Sequence, residues 1–276
     1  MRNNTISSIY SEYIASRFIS SISINCHKVY FGYYRNELCI IMKDFTTKES
    51  KLRSFKDTQQ SSEDTDIKTK KYTYSDVIDL IEKHSKLNEK FKKQAINQFW
   101  QMFICDAILG NRDRHHGNWG YLMEKTGYRM APIYDNGSPL FPDVEKQIVS
   151  YEKHIKEGTE LKFISERAEK FPASLFQIET SDGKTRRTNY NEILSDLRIN
   201  KTLAFQVKSL KENVGFEGVY RNTYKILQEV RGFIPGIYVR FYLIIICVRY
   251  LHLIERKSIE KSYEITINRI KKGLEN

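Results

Sequence analysis

The chain has 276 residues, with 45 Lys and Arg against 34 Asp and Glu, a formal net charge of +11 and a pI near 9.3. Its 40% hydrophobic and 13% aromatic content suffices for a sizeable core. That excludes global disorder and leaves one large domain or two small ones. The basic balance favours anionic partners such as phosphate-bearing ligands, but no run of five or more Lys or Arg concentrates it. Most of the charge therefore reads as solvated helix faces.

Four cysteines, at 26, 39, 105 and 247, form no C-x-x-C pair, which excludes zinc-finger spacing. They read as reduced thiols of an intracellular, cytoplasmic protein. The first eight residues are polar and offer no secretory apolar core. The longest apolar run, residues 241–248, is eight residues long, well short of the roughly 20 that cross a bilayer. It reads as a buried helix, so no membrane span is expected.

In chain order, residues 9–22 carry apolar side chains at helical spacing, with Ser7 or Ser8 as a cap and Glu12 within the first turns. Residues 29–45 switch to a β-branched and aromatic pattern with a turn at Arg35-Asn36-Glu37, a hairpin in which Gly32 marks a bulge or a close approach. Residues 46–71 hold few large apolar side chains and read as one long, mobile polar loop. Residues 74–87 and 91–109 read as helices, the second stopped by Gly110. Residues 111–142, with seven Gly and Pro among 32, break into loops and short strands, a strand pair at 119–123 and 128–133 among them. Residues 144–170 and 189–276 read mainly as helices, with a turn at Ser181-Asp182-Gly183.

The chemistry concentrates in ILGNRDRHHGNWGYL (residues 108–122) and APIYDNGSPLFPD (residues 131–143). A helix ends, a polar loop places Asp113 and Asn118 five positions apart, and Asp135-Asn136-Gly137 follows after a further 16 residues. This is the order R-D-x-x-x-x-N, then D-x-G, used for phosphoryl transfer. That reaction asks for a carboxylate to take or orient the proton of the attacking hydroxyl, the role expected of Asp113. It also asks for hard oxygen ligands to Mg²⁺, expected from Asn118 and Asp135, with Gly137 allowing a sharp turn beside the metal. Arg112 and Arg114 fit either phosphate neutralisation or pairing with local carboxylates. His115 reads either as a buttress of the loop or as lying near phosphate, and His116 as exposed. Ligation of zinc or iron by the two histidines, as in a metal-dependent nuclease, lacks a third ligand at motif spacing.

NRDRHHGNWG together with APIYDNGSPL resembles the signature of HipA-type kinases, and most closely their CtkA-type branch of bacterial Ser/Thr kinases. The D-R-H-x-x-N loop of lipid kinases is related. Ser11-Glu12-Tyr13 and then Lys43-Asp44-Phe45-Thr46-Thr47 stand in the order that branch shows, so the resemblance spans roughly residues 9–142. It implies an α+β, mostly α, protein-kinase-like fold. In that fold residues 1–45 are an N-lobe remnant and residues 72–276 a helical C-lobe carrying a catalytic loop at 111–118 and a metal-binding loop at 135–137. It implies ATP and Mg²⁺ as cofactors and a protein Ser/Thr hydroxyl as acceptor. Asp113 and His115 would be catalytic, with His115 also near nucleotide; Met42, Lys43, Asp44 and Phe45 would be the adenine hinge, and Asn118 and Asp135 the metal ligands. Glu12 would lie on an αC-like helix. The family's Gly-rich loop and ATP-binding lysine precede that helix. Here only eleven residues stand before Glu12, and the first Lys and Gly are Lys28 and Gly32. A start placed too late, a truncated paralogue and a partner that completes the N-lobe each account for this. The alternative function is a truncated pseudokinase or toxin-type module bound by an antitoxin-like partner; direct nucleic-acid binding is not expected.

Overall fold

The α1 helix (Ile6–Ser21) sets one wall of the site. Its spacing puts Tyr10, Ile14, Ala15, Phe18 and Ile19 into the core together with three polar residues, Ser11, Glu12 and Ser16. The computed structural model describes residues 6–60, 73–84, 87–141, 144–169, 172–180, 182–195 and 200–274. Because α1 begins at Ile6, Ser7 and Ser8 lie inside its first turn instead of capping it.

Next come antiparallel β1 (Val29–Tyr34) and β2 (Glu37–Met42), in register with Phe31 opposite Ile40. The two-residue turn has positive φ at both Arg35 (51°) and Asn36 (64°), the backbone twist that suits a tight hairpin. Gly32 is paired in register and is no bulge; a Cβ there would meet Ile41 Cδ1 at 2.3 Å. Phe31 stacks on Tyr13 of α1 with ring centroids 4.1 Å apart, fixing the hairpin on the helix.

The stretch read as one polar loop is structured over its first part. Lys51–Ser54 forms β3 and Phe55–Gln60 forms α2, while residues 61–72 lie outside the described residues. β3 is the edge of a three-stranded antiparallel sheet with β4 (Gly120–Glu124) and β5 (Gly127–Met130). The anchor is Phe55, buried and stacked on Trp119 at 4.1 Å. Burying one such ring contributes about 2–3 kcal/mol, which offsets the polarity of its neighbours.

The helices follow: α3 (Tyr74–Lys83), α4 (Glu89–Leu109), α5 (Val144–Lys156), α6 (Glu160–Glu169), α7 (Tyr190–Ser195), α8 (Lys201–Asn213), α9 (Gly215–Val230), α10 (Gly236–Arg249) and α11 (Ile259–Leu274). The helical reading of 144–170 is interrupted at Gly158, whose φ is 68°. Between α6 and α7, β6 (Pro172–Glu179) and β7 (Thr185–Asn189) make a hairpin that the sequence reading left as a turn between helices. Its turn keeps Asp182 and Gly183, while Ser181 lies outside the described residues.

Residues 241–248 are buried, as expected of a core helix, and α10 packs against α4, α5, α6, α9 and α11. By length and composition alone the run Gly236–Ile254 is long and apolar enough to cross a membrane, yet 72% of it is buried inside the fold.

Candidate active site

α4 carries its apolar face into the core as far as Leu109 and ends on Gly110, which adopts φ 75°. Within that buried last turn sits a carboxylate, Asp106, 1% exposed. Its backbone carbonyl accepts from the N–H groups of Gly110 (2.8 Å) and Asn111 (2.9 Å), so the chain turns sharply and a loop begins. Its side chain accepts from Asn111 Nδ2 at 3.0 Å, and Asn111 Oδ1 in turn accepts from the Asp113 N–H at 2.9 Å. Asp113 is thus placed by its own backbone. Its carbonyl also accepts from the His115 N–H (2.8 Å) and from Asn118 Nδ2 (3.1 Å). With its amide nitrogen committed there, Asn118 has its Oδ1 left as the group to offer a cation.

Arg114 ties this loop to the next, and it is fully buried. Its Nε and Nη2 donate to the two Asp106 carboxylate oxygens at 2.9 and 3.0 Å, a bidentate pair. Nη1 donates to the carbonyls of Asn118 (2.9 Å) and Tyr134 (2.6 Å), and Nη2 to Asn136 Oδ1 (2.6 Å). Burial alone would pull the guanidinium pKa down; the Asp106 carboxylate more than offsets it and holds the group above its ordinary value. Of the two roles open to Arg114 in the sequence, the structure gives it the local carboxylate. One side chain therefore spans the segment bearing Asp113 and Asn118 and the segment bearing Asp135.

Asp135 itself adopts φ 56°. The left-handed residue of D-N-G is thus the aspartate, whereas Gly137 faces α1: a Cβ there would lie 3.6 Å from Glu12 Oε2. The Asp135 carboxyl is pushed above its ordinary value of 3.8, first by desolvation on burial and next by the Glu12 charge. Arg114 and His115 pull it back, and Asp113 adds to the rise. A carboxylate and an amide oxygen are hard donors of the kind Mg²⁺ takes beside water and phosphate oxygens. Among the described residues no group of three His, Cys, Asp or Glu side chains gathers as a transition-metal cage would.

The histidines divide. His115 is half-buried and its Nδ1 accepts from the Gly117 N–H at 3.1 Å, a buttress of the loop. His116 is not exposed as expected. It is half-buried with its ring 5.5 Å from Phe55, and desolvation followed by the neighbouring His115 lowers its pKa to about 4. Of the expected hinge, Phe45 meets the site, its ring 5.6 Å from that of Tyr134, whose hydroxyl donates to the Gly117 carbonyl at 3.1 Å. Met42 and Lys43 are exposed at the end of β2, where the Lys43 N–H donates to the Lys28 carbonyl (2.9 Å). The Asp44 carboxylate is taken up locally by the Thr46 N–H and hydroxyl, both at 2.8 Å.

Glu12 is 6% exposed, and its Oε1 accepts from His27 Nε2 (2.7 Å) and from the Ser16 hydroxyl (2.8 Å). Asp106, Ser16, His27 and Asn136 are site residues that motif reading passed over. One signal was available: an aspartate in the last turn of a strongly apolar helix is a buried charge that requires a partner.

A family model described as HipA-like C-terminal domain matches residues 2–202. The chain is 29% identical over 188 residues to the serine/threonine-protein kinase CtkA of Helicobacter pylori (strain J99 / ATCC 700824), a match covering 67% of this chain. It spans about half, 54%, of that relative's length. The fold is similar to the crystal structure of the Helicobacter pylori proinflammatory kinase CtkA, with TM-score 0.73 and 25% identity over 95% of this chain and 88% of that one. It is also similar to HipA in the Shewanella oneidensis MR-1 toxin–antitoxin complex of HipA, HipB and operator DNA. There the TM-score is 0.51 at 14% identity, over 93% of this chain and 57% of that chain, a likeness of fold alone.

Proposed function

The chain belongs to the HipA-like C-terminal domain family, and from that premise we propose that it is the catalytic part of an ATP-dependent Ser/Thr protein kinase. The observation that carries this reading is Arg114, whose guanidinium bridges the Asp113/Asn118 loop and the Asp135 loop, so that the residues needed for phosphoryl transfer move as one unit. Asp113 accepts the proton of the attacking Ser or Thr hydroxyl. Asn118 Oδ1 and the Asp135 carboxylate hold Mg²⁺, and Phe45 offers a ring to the adenine side. His115 steadies the loop through the Gly117 N–H that its Nδ1 accepts. Mg-ATP, when bound, supplies the phosphoryl group and the cation that neutralises its charge. The partner is a protein hydroxyl, and the compartment is a reducing, cytoplasmic one, in keeping with four free thiols.

A second reading, a binding module without transfer on its own, is favoured by the Glu12–His27 pair, which already occupies one oxygen of the carboxylate that a nucleotide-site lysine would engage. In that reading the partner is an antitoxin-like protein or one that completes the N-lobe.

Thermal unfolding with and without Mg-ATP separates the two. A ligand at about 100 times its Kd stabilises by roughly 2.7 kcal/mol. The kinase reading expects a Mg-dependent rise in Tm that Asp135→Ala abolishes and Asp113→Asn retains, with transfer of labelled phosphate lost in both. A folded wild-type chain without any shift leaves the binding module.

A further inference from the structure

A continuous buried hydrogen-bonded chain runs from α1 to the backbone of Asp113. His27 Nε2 donates to Glu12 Oε1 at 2.7 Å, and the Ser16 hydroxyl donates to the same oxygen at 2.8 Å. Asn136 Nδ2 donates to Ser16 Oγ at 2.9 Å, while its Oδ1 accepts from Arg114 Nη2 at 2.6 Å. Arg114 holds Asp106, Asp106 holds Asn111, and Asn111 Oδ1 accepts the Asp113 N–H. His27, Glu12, Ser16, Asn136, Arg114, Asp106 and Asn111 are all buried. The backbone repeats the link at one end: the His27 N–H donates to the Ile133 carbonyl at 3.0 Å, and the Ile133 N–H donates to the Asn25 carbonyl at 2.9 Å. Segment 25–27 is therefore fastened to the segment that leads from β5 into Asp135.

We propose that His27 is a positioning residue of the phosphotransfer site. By holding Glu12 through Nε2 it fixes the Glu12–Ser16–Asn136 junction, and through Arg114 it sets the register of the metal-binding loop against the Asp113 loop. The Glu12–His27 pair thereby gives the α1 carboxylate a partner from within this chain and couples the placement of α1 to both site loops. The other Glu12 oxygen faces Gly137, where a Cβ would lie 3.6 Å from it. This deepens the kinase reading above and rests on it for its functional meaning, but the coupling is a property of the folded chain with or without nucleotide.

The physics is that of a saturated buried network. Its donors are all engaged, several of them shared between acceptors, as Arg114 Nη1 is between the Asn118 and Tyr134 carbonyls; loss of one member leaves a buried carboxylate or amide to find another partner, and the members rearrange together. Glutamine at position 27 can place an amide N–H near the position of Nε2; alanine cannot.

The test is backbone hydrogen exchange read by mass spectrometry on the nucleotide-free chain. In His27→Ala, peptides covering residues 111–118 and 133–141 are expected to exchange about tenfold faster or more, while those of α8 and α9 stay as in the wild type. His27→Gln is expected to restore both loops to within about twofold. Arg17→Ala, which removes the exposed ion pair of α1 with Glu229, serves as the control and is expected to leave both loops unchanged. Should His27→Ala fail to fold, Ser16→Ala decides the matter. It cuts Glu12 from Asn136 and removes the 3.0 Å contact of Ser16 Oγ with His27 Nε2 while leaving the His27–Glu12 bond, and it is expected to accelerate the same two loops. An unchanged 111–118 segment in either variant, or a rise spread evenly over all helices, overturns the proposal. If the wild type takes no Mg-ATP, the kinase reading falls while this comparison still decides the coupling. If it does, the Mg-ATP affinity of His27→Ala is expected to drop about tenfold and to return with glutamine.

Discussion

Replacing Arg114 by alanine is expected to be among the most damaging single changes in the chain. The Arg114 side chain is 0% exposed and its partner Asp106 2%. Removing the guanidinium strands a buried carboxylate, which costs about 3–5 kcal/mol. It also takes the donor from the carbonyls of Asn118 and Tyr134 and from Asn136 Oδ1, each worth roughly 1–3 kcal/mol when left unsatisfied, though not additively. A loss of at least about 5 kcal/mol follows, against total stabilities of about 5–15 kcal/mol for a domain. Lysine keeps the charge but cannot span Asp106 and three further acceptors, so Arg114→Lys should lose about 2–3 kcal/mol. The informative variant is the double Arg114→Met/Asp106→Leu, which removes both charges. It should be about 2 kcal/mol more stable than Arg114→Met alone, since no carboxylate is left stranded. Urea midpoints at constant m-value measure all four. An Arg114→Ala protein within about 1 kcal/mol of the wild type would refute the account of the network, as would a double variant worse than the single.

Other expectations follow from the same geometry. The Asp135 carboxyl is held above its ordinary pKa, so its contribution to stability is present below about pH 4 and is lost as pH rises through the raised value. Asp135→Asn should therefore raise the Tm at neutral pH without divalent cation while removing any Mg-dependent gain; a lower Tm would contradict the burial argument. His116, with its pKa lowered to about 4 from 6.5, stabilises the neutral form. Stability should be complete above pH 6.5 and fall as pH drops toward about 4, and His116→Phe should lose part of that acid sensitivity when unfolding is followed from pH 7 to 4. Gly110→Ala places a side chain at φ 75° with its Cβ 2.3 Å from the buried Arg249 Nη1. The backbone alone costs about 1 kcal/mol and the displaced guanidinium more, so a Tm loss of several degrees is expected on calorimetry.

What the sequence made legible follows a pattern. Asp113, Asn118 and Asp135 could be singled out as candidates because the proposed roles rest on residue type and short spacing, and the helix stop at Gly110 could be read because a left-handed terminus favours glycine. Phosphotransfer chemistry in the family could be read from NRDRHHGNWG and the following D-N-G. The relation of those residues to one another could not. Arg114 draws its partners from α4, its own loop and the segment after β5, and no local pattern announces such a junction. The same holds for His27, which meets Glu12 across 15 positions, and for β3, whose KLRS sequence becomes a strand through its pairing with β4 and the Phe55–Trp119 stack beside it. The β6–β7 hairpin was passed over because a charged TRRTN strand shows little of the apolar alternation that marks a half-buried sheet.

The position of α10 in the chain has a consequence for how the molecule is made. Its side chains form part of the core beside α4, and Arg249 at its end donates to the Leu109 carbonyl at 3.0 Å, one residue before the turn that opens the Asp113 loop. That bond joins positions 140 apart. Until residues 236–249 have left the ribosome, α4 has no completed core around it and the loop lacks this anchor, so the site closes only once that segment has emerged. Between its emergence and its docking on α4 this segment, apolar and long enough to cross a membrane, is exposed, which makes this the step at which the nascent chain depends most on rapid closure or on chaperones.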